Sequence, residues 1–146
     1  MEPRAIRCSV VVNRPAAEIF GYLTDATKLE RWFASQAQSD ARKGGAYHFT
    51  FKKKDGAVDH VRSGTFTRVD AGRGLAMDWD FGQGKTAVEI ALTAEGGATR
   101  LELSHSGFRD GWEEAYSMHE KGWNMFLQNL KSVVEEGRDE RARLFG

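Results

Sequence analysis

The run from Thr99 to Val134 changes period in its middle, and that change decides the fold. Its first part reads Thr99-Arg100-Leu101-Glu102-Leu103-Ser104-His105-Ser106-Gly107-Phe108. Leu101, Leu103 and His105 share one parity, which predicts a strand with one apolar face. Its second part opens Asp110-Gly111-Trp112-Glu113-Glu114-Ala115-Tyr116. From there Trp112, Tyr116, His119, Trp123, Phe126, Leu127, Leu130, Val133 and Val134 recur at helical spacing. That spacing predicts an amphipathic helix of about 25 residues. Asp110 with Glu113 three residues on reads as a capping box, and Gly137 as the stop. Gly122 lies inside this helix, where it suggests a bend or a close backbone approach.

The same reading extends backwards. Leu75, Met77, Trp79 and Phe81 alternate with polar or small residues, as do Thr86, Val88, Ile90 and Leu92. Tyr47, Phe49 and Phe51 alternate before Lys53-Lys54-Asp55-Gly56, whose Asp-Gly pair reads as a hairpin turn. The run from Val58 to Val69 has no clean parity. Strands with one polar face make an antiparallel meander. Near the start, Ile6, Cys8, Val10 and Val12 form another strand. Asn13-Arg14-Pro15 then reads as a helix cap with Pro in the first turn, and Thr24-Asp25 as a second cap. Ile19, Phe20 and Leu23 stripe the first short helix, and Leu29, Trp32 and Phe33 the second. A polar loop runs from there to Gly44-Gly45. The order is β-α-α-β6-α: an α+β chain with an antiparallel sheet of about seven strands and one long last helix. Laying that helix across the sheet buries both apolar faces.

Composition narrows the function. Twenty-one basic residues balance 21 acidic ones among 146, which argues against nucleic-acid binding through bulk charge. No run nears the ~20 apolar residues of a membrane span. Met1-Glu2-Pro3-Arg4 lacks a signal-peptide pattern. Cys8 is the lone cysteine, as expected of a cytoplasmic protein without disulfides. The expectation is one domain over 1–146, with a charged, fraying tail over 138–146. Aromatics are the surplus: 11%, with four tryptophans and nine phenylalanines.

Several local motifs together resemble the START-like (SRPBCC) helix-grip superfamily. Within it they resemble the domain of the heat-shock-protein ATPase activators and their small bacterial relatives. The resemblance rests on Val11-Val12-Asn13-Arg14-Pro15-Ala16-Ala17-Glu18-Ile19-Phe20, on Trp32-Phe33, and on Gly44-Gly45-Ala46-Tyr47-His48-Phe49. It continues through Leu75-Ala76-Met77-Asp78-Trp79, Thr99 to Phe108, and Gly122-Trp123 with Leu127 and Leu130. It implies an α+β helix-grip fold, a curved antiparallel sheet of about seven strands gripping the long C-terminal helix, with a cavity between them, and it spans lipid carriers, cyclases and co-chaperones.

The candidate lining of that cavity is Trp32, Phe49, Phe66, Met77, Trp79, His105, Trp112, His119, Trp123 and Phe126. The competing reading of each ring is plain core filling. His105 points inward, His119 lies on the helix stripe, His48 faces solvent, and His60 faces with Arg62 and Phe66 unless a bulge intervenes. Asp78 and Asp80 read as solubilising residues on the polar face. No histidine pair has zinc spacing, and no nucleophile elbow or phosphate loop occurs. The expectation is therefore a module binding an apolar or aromatic small molecule, without cofactor or metal. The alternatives are a cyclase- or hydrolase-like enzyme on the same cavity, and a stress-response protein with a chaperone partner. Exposed edge strands leave a homodimer open.

Overall fold

In the computed structural model, residues 4–145 are described; the Met1–Pro3 start and Gly146 lie outside them. β1 (Arg4–Val12) leads into α1 (Ala16–Thr24) and α2 (Ala26–Trp32). β2 (Gln36–Ser39), β3 (Ala46–Lys52), β4 (Val58–Asp70), β5 (Gly74–Asp80), β6 (Lys85–Glu95) and β7 (Ala98–Phe108) follow. α3 (Glu113–Glu136) and α4 (Arg141–Phe145) close the chain. The strands form one antiparallel seven-stranded sheet in the order β1-β7-β6-β5-β4-β3-β2. This is the α+β order expected from the alternation and the helix-grip architecture that the resemblance implied.

Alternation places the core. On β6, Thr86, Val88, Ile90 and Leu92 are buried while their neighbours are exposed. On β7, Leu101, Leu103 and His105 are buried likewise. β4 changes partners along its length: its first half pairs with β3 and its last residues with β5. Asp78 stitches this junction. Its carboxylate accepts from the Thr65 N–H and hydroxyl, each at 2.9 Å, so Asp78 is a structural link rather than a solubilising residue. A Cβ at Gly64 would lie 2.0 Å from Asp78 Oδ1, which is why this close crossing holds a glycine.

Four local expectations are corrected. Part of the polar loop before Gly44 is β2, an edge strand formed by backbone pairing with β3. Asn13 does not cap α1; Pro15 occupies the cap position, and the Asn13 N–H instead donates to Glu135 of α3 at 2.8 Å. Asp110 does not cap α3 either. Gly111 turns the chain with φ +92° and Trp112 takes the cap position, while Glu113 accepts from the Gly111 N–H. Asp25, by contrast, caps α2 through Thr27 and Lys28. At Gly122 there is neither a break in α3 nor a close neighbour, since a Cβ there meets nothing within 4 Å.

The tail is tied down. Arg141 donates to the carbonyls of Glu30, Phe33 and Ala34 at 2.8–3.2 Å. Buried Asn129 donates to the Trp32 carbonyl and accepts from the Glu140 N–H. These bonds satisfy the exposed end of α2 and hold α4 against it. Glu140 and Arg141 are thus the points at which the tail meets α2 and α3.

Candidate functional site

α3 packs on β1 and α2 rather than on β3 and β4. Lys131 donates to the Val11 carbonyl at 2.6 Å, fastening the helix to the β1 side. A twisted sheet with its helix fastened at one side stands away from it at the other. The space left between α3 and the β3–β4 hairpin is a cleft of about 610 Å³. Phe33, Trp79 and Trp123 form its inner wall, and Phe51, Asp59, His60 and Arg62 its sheet side. Met118, His119, Lys121, Gly122, Met125 and Phe126 form the helix side, and Leu144 and Phe145 of α4 close one end.

Phe33 is the hub of the rings. It stacks on Trp123 at 5.6 Å and meets Phe49, Phe51 and Phe126 edge-on at 5.4, 5.1 and 4.7 Å. Such pairs contribute roughly 0.5–1.5 kcal/mol each beyond area burial, so this wall is stiff. The helix side is different: Met118 is 66% exposed and Gly122 presents empty space. One side of the cleft is packed and the other stays open.

The histidines divide by environment. His105 is fully buried, and its partners fix its tautomer. Its Nδ1 accepts from the Trp123 indole N–H at 3.0 Å, so Nε2 carries the proton and faces Thr86 Oγ1 at 2.6 Å. The Thr86 hydroxyl donates onward to the Trp79 carbonyl at 2.8 Å. Burial, then the neighbouring His119 and Arg62, push the His105 pKa down to about 3, so the ring is neutral at pH 7. His119 donates from Nδ1 to the Ala115 carbonyl at 2.7 Å and accepts the Trp79 indole N–H at 3.3 Å. Burial lowers its pKa despite the Ala115 bond. These two rings orient Trp79 and Trp123, the two indoles of the inner wall.

β4 supplies the polar rim. His60 pairs across the ladder with Phe51 and Arg62 with Phe49, so both share the inward parity of Phe66. A bulge at Asp59, one residue earlier, brings Asp59 to the same side. Asp59 Oδ2 lies 3.0 Å from His60 Nδ1, and the His60 ring stacks on Phe51 at 4.5 Å. Burial lowers the Arg62 pKa from its usual range.

Of the residues proposed from sequence, Trp79, His119, Trp123 and Phe126 line the cleft. Phe49 and His105 lie directly behind that wall. Trp32 turns its N–H to the Tyr22 carbonyl and supports Phe33 from below. Phe66 and Met77 pair deep between β4 and β5. Trp112 packs edge-on to Phe81 beneath Gly84, away from the cleft. The sequence reading passed over Phe33, Phe51, Met118, Met125 and the α4 residues. Met118, Gly122 and Met125 lie at helical spacing beside the Trp123 stripe, a signal that periodicity could have supplied.

Cys8 is no nucleophile. Burial and the nearby Glu120 push its thiol up to about 11. Among the described residues no cluster of His, Cys, Asp or Glu could hold a metal ion, and no helix is long and apolar enough to cross a membrane.

Similar proteins bear on this architecture. Protein MLL2253 from Mesorhizobium loti has a TM-score of 0.80 at 20% identity, over 92% of this chain and 99% of its own. CalU16 from Micromonospora echinospora has 0.75 at 26% identity, over 97% and 81%. Aha1 from Colwellia psychrerythraea, described as a dimer, has 0.81 at 16%, over 92% and 98%. No curated protein matches the chain. The model of the "Activator of Hsp90 ATPase homolog 1-like protein" family matches residues 13–135. With that match spanning most of the chain and the helix-grip fold around it, this protein belongs to that family.

Proposed function

We propose that this domain binds a small apolar or aromatic molecule in the cleft between α3 and the β3–β4 hairpin. The carrying observation is the cleft itself: about 610 Å³, walled by Phe33, Trp79, Trp123 and Phe126. That lies within the roughly 300–1,000 Å³ usual for ligand sites, which are mostly apolar with a few placed polar groups. Gly122 supports the reading further. A glycine inside a helix costs about 1 kcal/mol relative to alanine, yet here it faces space with no atom within 4 Å. That open space lies on the helix side of the cleft, where a ligand would seat. With one partly buried, protonated thiol, the domain suits a cytoplasmic setting.

Native mass spectrometry of protein purified from its own host tests this. A retained small molecule, displaced by an apolar competitor, is the expected result. Apo protein whose tryptophan fluorescence ignores every apolar probe would remove the reading. Co-purification of a chaperone or a homodimer at fixed stoichiometry, with no small molecule, would replace it by a protein-interaction role.

A further inference from the structure

The cleft carries a charge pattern that its aromatic walls do not require. Among its lining residues Arg62 and Lys121 stand against the single carboxylate of Asp59. Asp59 is already engaged by His60 at 3.0 Å. Arg62 is not so engaged. Its Nη1 donates to the Val61 carbonyl at 3.0 Å, and among the described residues no carboxylate lies within ion-pair distance of it. Burial disfavours its charged form, while the more distant Tyr47, Asp80 and Asp59 act the other way; beyond the Val61 bond, the half-buried guanidinium turns most of its five donors toward the cleft without a protein acceptor among the described residues.

An anion satisfies this arrangement best. A cationic ligand would face Arg62 and Lys121 together. A neutral one would leave the guanidinium short of acceptors beside an apolar wall, which is costly. The guanidinium fork matches a carboxylate through two parallel bonds. Parity along β4 supplies the layout: polar His60 and Arg62 lead to buried Phe66, while the aromatic wall runs inward beside them.

We propose that the ligand is an aromatic or fused-ring apolar acid, its rings against Phe33, Trp79, Trp123 and Phe126 and its carboxylate on Arg62. The proposal rests on the ligand-binding reading above and names its chemical class. The test is a matched pair, pyrenecarboxylate and pyrenecarboxamide, titrated against the protein by tryptophan fluorescence. The acid is expected to bind about tenfold tighter or more, since charge-assisted pairs are roughly twice as strong as neutral ones. Arg62→Gln should bring the ratio near one, and Arg62→Lys should restore part of it; circular dichroism checks that both variants fold. Equal binding of acid and amide, or a ratio unchanged in Arg62→Gln, overturns the acid preference and leaves the cleft a neutral-ligand site. Binding of neither compound overturns the ligand-binding reading and this inference with it.

Discussion

Gly122 separates a ligand cleft from an incompletely filled core. An alanine there adds a methyl group to the open side of α3, where nothing lies within 4 Å of the new Cβ. Steric cost is therefore absent, and the glycine is not held at positive φ. The change should stabilise the fold by about 1 kcal/mol through helix propensity alone. For a domain of this size that raises Tm by roughly 4 °C. Gly122→Leu keeps nearly the same propensity gain and adds a branched side chain that projects between Met118 and Phe126, into the cleft. It should fold at least as well as the parent and bind apolar ligand at least tenfold more weakly, a loss of about 1.4 kcal/mol. Calorimetric unfolding and isothermal titration on the same three samples read both quantities. A Gly122→Ala variant that melts lower than the parent would show that the open side of the helix is not free. Undiminished binding in Gly122→Leu would place the ligand elsewhere.

Three other outcomes follow from named contacts. The folded His105 pKa of about 3 lies below the ordinary 6.5, so the unfolded chain takes up the proton first. Stability should then fall as pH drops from about 6.5 toward 3, by at most ~1.4 kcal/mol per unit, and denaturant titrations of His105→Asn should give a flatter slope. Asn129→Ala leaves the Trp32 carbonyl and the Glu140 N–H without partners; it should cost about 1–3 kcal/mol, and hydrogen exchange should show α4 opening ahead of the sheet. Cys8, with its thiol near 11 rather than 9.0, should react with iodoacetamide about a hundredfold more slowly than a free thiol at neutral pH, and a rate equal to that of a free thiol would contradict its burial.

The sheet was legible because β3 and β6 bury one parity and leave the other largely exposed, and β7 buries Thr99, Leu101, Leu103 and His105 on one parity. The long helix was legible because its stripe recurs without interruption and ends at Gly137, which is left-handed with φ 70°. β2 was not legible. Gln36-Ala37-Gln38-Ser39 is an edge strand held by backbone pairing to β3, and polar side chains leave no periodic trace of that. The caps at Asn13 and Asp110 failed for a tertiary reason in one case and a turn in the other: α3 takes the Asn13 N–H, and Gly111 redirects the chain. β4 was obscure for a more telling reason. Its inward positions hold His60, Arg62 and Gly64 before reaching Phe66, so the apolar pattern breaks where the strand borders the cleft. Local rules fail most often at functional positions. The aromatic surplus therefore marked the right interface without showing which rings face the cleft. That choice depends on how α3 leans toward β1, which no alternation encodes.

The most direct measurement uses the four tryptophans as internal reporters. In a nitrogen–proton correlation spectrum each indole N–H gives one resonance, assigned by single substitution. Trp79 and Trp123 line the cleft, whereas Trp32 and Trp112 do not. Titration with an apolar aromatic acid should move the Trp79 and Trp123 indole resonances and leave those of Trp32 and Trp112 in place. Uniform shifts of all four, or movement confined to Trp32 and Trp112, would contradict a ligand site between α3 and the β3–β4 hairpin.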